Sequence, residues 1–229
     1  MKNSKEYSKK IQKLYHSLKN KYPKPAKVSY DEPLDALVYA VISENMTEAE
    51  TQSAMKRMTQ NFADLNDLRV SLTMEILEML GANNPVMKNT ASALLGILRD
   101  IFKENNTVSL EPLKKIGKRP ARDVLEKIPG TNKFVIDYCM LTSLQAHAIP
   151  VTKRMVEYLK TNQFVYPESD EQDIEGFLAR QISADNAYEF YALLRHESES
   201  GQASAKKTAG KSKVKKAAKT KGEKGKTIA

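Results

Sequence analysis

The sequence predicts an all-α protein. Apolar residues recur at helical spacing through most of the chain, no run alternates with period two for long enough to argue a strand, and helix start and stop signals fall between the apolar stripes. Tyr7, Ile11, Leu14, Tyr15 and Leu18 form the first stripe, which Tyr22-Pro23-Lys24-Pro25 ends. A second helix is expected from Pro33 to Glu44, with Leu34, Leu37, Val38, Val41 and Ile42 on its core side. Thr47-Glu48-Ala49-Glu50 has the spacing of a capping box and starts a third, carrying Met55, Met58 and Phe62. A fourth ends at Gly81, the residue type that best closes a helix in left-handed backbone. Pro85 opens a fifth with Leu94, Leu95, Leu98, Ile101 and Phe102. Two short helices, Pro120 to Lys127 and Phe134 to Leu144, follow, then one from Val151 to Leu159 and two more between Gln172 and His196.

Composition bounds the function. The chain has 229 residues, enough for one or two domains, and 41% hydrophobic residues, enough for a core. It has no apolar run of transmembrane length and no secretory signal pattern, so the reading is an intracellular protein without a membrane partner. One cysteine, Cys139, excludes a disulfide framework and any multi-cysteine metal site, and its apolar helical surroundings point to a buried structural thiol.

The net charge of +9 is unevenly spread. Residues 1–27 hold nine Lys against Glu6 alone, and residues 201–229 hold ten Lys against Glu223 alone, so the region between is acidic. Within that acidic body, Glu111 to Lys133 carries seven basic residues (Lys114, Lys115, Lys118, Arg119, Arg122, Lys127 and Lys133) against three acids. Three basic zones on an acidic body argue for an oriented contact with phosphates. From Ser198 onward the composition collapses to Lys, Ala, Gly, Ser and Thr, too polar to bury a core, and a disordered tail that tethers nucleic acid is expected over 198–229.

Ile128-Pro129-Gly130-Thr131-Asn132-Lys133 lies inside the central basic zone, between the two short helices. A tight glycine turn there leaves backbone N–H groups unpaired at the start of the second helix, a ready site for a phosphate oxygen. That is the physics of a helix-hairpin-helix, which reads the DNA backbone without regard to sequence. A Pro-Gly pair is also an ordinary turn between packed helices.

With the elements in order, residues from about Asp31 to Leu194 resemble the helix-hairpin-helix DNA glycosylase superfamily, the endonuclease III group in particular. Leu37 to Thr47, ending Ser43-Glu44-Asn45-Met46-Thr47, resembles an early helix that ends Ser-x-Gln-x-Thr in that family. Gly81, Asn84-Pro85 and the stretch from Lys88 to Leu95 resemble its Gly-x-x-x-x-Lys-Ala segment. Ile128-Pro129-Gly130 resembles the Leu-Pro-Gly of the hairpin, and Ala148 to Arg154 lies at the spacing of the Val-Asp-Thr-His segment. The resemblance implies a two-lobed helical fold: a basic N-terminal helix (1–27) packing with the C-terminal helices, a glycosylase-like body over 28–197, and the lysine-rich tail.

It also implies a chemistry, in which the duplex is bent, a base is flipped out and its glycosidic bond is cut. Family members use an Asp that stabilises the developing sugar cation, and bifunctional ones add a Lys nucleophile. Here those positions hold Thr152 and Phe134. Asn132 replaces the second hairpin Gly, Asn45 the Gln that fills the gap left by a flipped base, and the cysteines of the iron–sulfur loop are absent, so no cluster or other cofactor is expected. The expectation is therefore a monomeric, catalytically silent DNA-binding protein acting on double-stranded DNA, damaged or intact, in the nucleoid or nucleus. Its contacts would come from Asn45, Lys118, Arg119, Pro129, Gly130, Thr131, Asn132, Lys133 and Lys153. The alternatives are an active glycosylase with displaced groups, for which Lys133 and Asp137 are the candidates and Glu44 a further one, and a protein-interaction module. A one-residue shift turns a helical side chain by about 100°, which points Lys133 towards phosphate rather than into a catalytic pocket.

Overall fold

A computed structural model describes residues 4–200; the tail expected over 198–229 lies outside them from residue 201 onward. Among the described residues every regular element is helical, as the periodicity predicts. The helices are α1 (Ser4–Lys21), α2 (Pro33–Ser43), α3 (Glu48–Asn61), α4 (Leu65–Val70), α5 (Thr73–Leu80), α6 (Pro85–Asn105), α7 (Lys118–Lys127), α8 (Lys133–Thr142), α9 (Lys153–Thr161) and α10 (Glu171–Gln181). A last helix, α11, spans 187–200, and single 3-10 turns precede α7 and α11.

The sequence signals act as expected at most boundaries. Thr47 forms the capping box with Glu50, Asn84 caps α6 with Pro85 behind it, and Gly81 closes α5 in left-handed backbone (φ 75°). The helix that ends at Gly81 is α5, and a further six-residue helix, α4, capped by Asp64 and stopping at Ser71, precedes it. The last helix also passes the boundary expected at 197: Ser198 Oγ donates to the Arg195 carbonyl, and the Glu199 carboxylate accepts from the Arg195 guanidinium at 3.0 Å and from the Glu48 amide at 3.1 Å. Those bonds tie the end of α11 to the N-terminus of α3, where a carboxylate is favoured.

α2 and α8 lie side by side at the centre, both largely buried. α2 also meets α3 and α6, and α7 meets α8 across the hairpin. On the other side α1 packs against α10, with Tyr15 edge-on to Phe190 of α11 and bonded to Glu189 at 2.6 Å. The N-terminal helix thus packs with the C-terminal helices. Ile11, Leu34, Leu37, Ile42, Leu94, Leu98, Phe177 and Phe190 are fully buried, each contributing about 1.5–3 kcal/mol of apolar transfer. No helix among the described residues is long and apolar enough to cross a membrane.

Candidate nucleic-acid interface

The hairpin is built as its sequence requires. Gly130 takes φ +91°, a backbone conformation costly for any residue with a Cβ, and α6 lies beneath it with Ile97 Cγ1 3.5 Å from where a Cβ would stand. Thr131 Oγ1 donates to the carbonyls of Leu125 and Ile128 at 2.9 and 2.8 Å, tying the turn to the end of α7. Asn132 is the N-cap of α8 and accepts from the Val135 amide at 3.1 Å, with extended rather than left-handed backbone. Among the described residues, the amides of Gly130 and Lys133 have no protein acceptor, and Pro129, Gly130, Asn132 and Lys133 are exposed. An anion can approach these amides at the positive end of α8.

Asn132 Nδ2 also donates to Glu44 Oε2 at 2.8 Å. Glu44 is the residue that ends α2, so this bond joins the hairpin to the α2–α3 loop and sets the exposed Asn45 beside it. Lys118 starts α7, exposed, with its ammonium on the Gln145 carbonyl at 2.5 Å; Arg119 follows it, exposed. Lys153 is the exposed first residue of α9.

Lys133 and Asp137 are differently placed from the expectation. The Lys133 ammonium closes an ion pair with the buried Glu175 of α10 rather than standing free for phosphate. Asp137 is buried and accepts from Arg122 of α7 at 2.5 Å, clamping the two hairpin helices. Burial holds both carboxyls above the ordinary range against the pull of these cations. Phe134, where the resemblance puts a Lys, is 4% exposed and packs on Tyr138, with ring centroids 6.2 Å apart. Thr152, where it puts an Asp, is buried as the N-cap of α9 and accepts from the Met155 amide at 3.3 Å.

Against Tyr138 lies a cavity of about 550 Å³, which the sequence did not reveal. Tyr22, Tyr30, Tyr39, Tyr138, Tyr188 and Tyr191 line it, with Glu48, Gln52 and Arg195 as polar groups. Tyr39 stacks on Tyr138 at 5.3 Å and Tyr191 meets it edge-on at 5.8 Å. Burial raises the hydroxyl pKa of Tyr30, Tyr39, Tyr138 and Tyr191, so these groups stay protonated donors. Tyr39 donates to Glu48 at 2.5 Å. Cys139 is buried against the start of α2, donating to the Pro33 carbonyl, its thiol pushed up to about 12 by burial, which leaves it inert as a nucleophile.

Arg195 is a second element missed in the sequence. It is 3% exposed, and its guanidinium reaches the Ser43 carbonyl at 2.8 Å, the Met46 carbonyl at 3.1 Å, the Tyr191 hydroxyl at 2.8 Å and Glu199. These bonds fix the α2–α3 loop that carries Asn45. The only sequence trace was Tyr191, Arg195 and Glu199 at i, i+4 and i+8 on one helix face.

Known structures share this arrangement of helices. An 8-oxoguanine glycosylase/lyase of Clostridium acetobutylicum, solved with double-stranded DNA, superposes with a TM-score of 0.66 at 16% identity, covering 87% of this chain and 71% of that one. The fold is that of the helix-hairpin-helix DNA glycosylases. Endonuclease III, trapped as a covalent intermediate with DNA, superposes at 0.64 with 15% identity over 82% of this chain and 84% of its own. A Helicobacter pylori 3-methyladenine DNA glycosylase gives 0.58 at 17% identity, over 87% and 97%. In sequence, a protein of Arabidopsis thaliana described as a candidate DNA glycosylase is 23% identical over 161 residues, which are 70% of this chain and 55% of that protein. The chain thus matches about half the length of that relative. No family model matches the chain.

Proposed function

We propose that this chain holds duplex DNA by its backbone at the 128–133 hairpin and does not cut the glycosidic bond. The observation that carries the reading is a pairing. An exposed hairpin with acceptor-free amides at Gly130 and Lys133 occurs in a chain that holds buried Phe134 and Thr152 at the two positions where the resemblance puts a Lys and an Asp. A phenyl ring cannot form a Schiff base, and a threonine hydroxyl cannot supply a carboxylate's charge opposite a sugar cation. The displaced candidates are engaged elsewhere, Lys133 with Glu175 and Asp137 with Arg122. Asn45 stands beside the hairpin through the Glu44–Asn132 bond, whereas Lys118 and Arg119 lie at the far end of α7, where the Gln145 carbonyl holds the Lys118 ammonium. The tyrosine-lined cavity supplies ring faces on which an unstacked base can rest. Ten lysines in residues 201–229 add a salt-sensitive attraction that ignores sequence. The role that follows is marking or shielding damaged DNA in the nucleoid or nucleus, as a monomer and without a metal cluster.

The test is a titration of the full chain against two duplexes at physiological salt, one with a stable abasic analogue and one intact. At least tenfold preference for the abasic duplex is expected. Equal affinity, or strand cleavage at the lesion, would overturn the reading.

A further inference from the structure

α1 carries a row of exposed lysines on its solvent side. Lys5, Lys9 and Lys13 recur at i, i+4 and i+8 and are exposed. At 3.6 residues per turn they form one row along the helix, with His16 and Asn20 continuing it, about 180° from the buried row of Ile11, Leu14 and Leu18. The lysines flanking this row are spoken for: Lys10 pairs with Glu6, Lys19 with Glu189 and Lys21 with Glu197. Lys5, Lys9 and Lys13 have no ion pair among the described residues.

This arrangement is unfavourable to the isolated helix. Like charges at i, i+4 destabilise a helix by about 0.2–0.5 kcal/mol per pair, and Lys5 also sits at the positive end of the helix dipole. The Glu6–Lys10 pair on the adjoining face shows the arrangement that would have stabilised it. Three positive charges over about 12 Å of helix, unrelieved by any acid in their row, match a polymer of evenly spaced negative charges. A bilayer is the poorer match, because the apolar side of α1 is already buried against α10 and α11 and nothing remains to insert.

We propose that Lys5, Lys9 and Lys13 bind the phosphate backbone of duplex nucleic acid, as a contact separate from the hairpin. α10 lies between the two, touching α1 on one side and reaching Lys133 through Glu175 on the other.

The test compares the full-length protein with K5Q/K9Q/K13Q, measuring the salt dependence of binding to an intact duplex. Loss of three phosphate contacts should reduce the slope of log K against log salt by about 2.7. The variant should therefore lose about 40-fold less affinity than the parent between 50 and 200 mM salt. K5R/K9R/K13R should keep the parent slope, which separates charge from helix damage, and helicity by circular dichroism should match in all three. An unchanged slope in the glutamine variant overturns the proposal. So does an unchanged DNA slope with lost binding to phosphatidylserine vesicles, which would assign the row to a membrane. A Gly130→Trp control keeps this surface and the hairpin reading apart. If that variant retains affinity while the glutamine variant loses slope, the hairpin reading fails and this one stands; the reverse pattern rejects only this one.

Discussion

Arg195→Met should unfold the protein more readily than any exposed substitution, and the structure sets the scale. The methionine keeps much of the aliphatic stem but removes a guanidinium that is 3% exposed. It leaves the Ser43 and Met46 carbonyls without their donors at 2.8 and 3.1 Å, and Glu199 without its partner at 3.0 Å. Removing one member of a buried pair costs about 3–5 kcal/mol, because the remaining groups stay desolvated and unpaired. Taking about 4 kcal/mol, and about 2–4 °C per kcal/mol for a chain of this size, Tm should fall by about 8–16 °C. Arg195→Lys should recover only part of this, since one ammonium cannot span carbonyls, hydroxyl and carboxylate as a planar fork does. Urea and thermal unfolding followed by circular dichroism give the energies, and hydrogen exchange at residues 43–47 should quicken in step. A loss below about 1 kcal/mol, or unaltered exchange in that loop, would refute the view that Arg195 holds the α2–α3 loop.

Gly130→Trp should weaken DNA binding by about 10–100-fold, the worth of one or two charge-assisted amide–phosphate bonds, as read by fluorescence anisotropy. Borohydride reduction with an abasic duplex should trap no covalent complex in the parent protein, and Lys133→Ala should not alter that result on denaturing gels. Gly81→Ala should cost at least about 1 kcal/mol in urea unfolding, because φ is +75° and a Cβ would stand 3.1 Å from Arg57 Nη2. Burial raises the folded-state pKa of Asp137 above its ordinary 3.8, so the folded form binds the proton more tightly than the unfolded chain. That contribution favours folding below 3.8 and is lost as pH rises through the raised folded value; Asp137→Asn should therefore gain stability relative to the parent as pH rises above 3.8 in denaturation curves.

The fold was legible where a residue's type dictates backbone geometry locally. Thr47, Gly81, Asn84, Pro85 and Gly130 each announced a cap, a stop or a turn within four residues of where it acts, and the all-helical pattern followed from spacing alone. α4 escaped because six residues hold fewer than two turns, too few to show a period. The site was less legible because its decisive contacts are distant in sequence. Lys133 reads as a free cation until Glu175, 42 positions on, is placed beside it. An arginine on an amphipathic helix is expected in solvent, and nothing near Arg195 in the chain reports the Ser43 carbonyl. The cavity gathers its tyrosines from the segment around residue 30, α2, α8 and α11, so no single stretch carries its signature.

The two exchanges at the expected catalytic positions act in one physical direction. A lysine at 134 would have to bury its ammonium beside the Tyr138 ring that Phe134 meets, stripped of water, which is a cost that a nucleophile's site bears for the sake of a lowered pKa. Phe134 instead buries its ring there and contributes about 2 kcal/mol of apolar transfer. Thr152 keeps the one local duty an aspartate would also have performed, accepting the Met155 amide at the start of α9, and gives up the charge. Phe134 thus keeps a buried aromatic contact on α8 and Thr152 the cap of α9, and neither side chain carries a charge. Function and stability pull against each other at such positions, and an uncharged buried residue at each lies on the side of stability. On the reading proposed above, the free amides of the hairpin supply the binding, while uncharged residues at 134 and 152 leave a developing sugar cation without a partner.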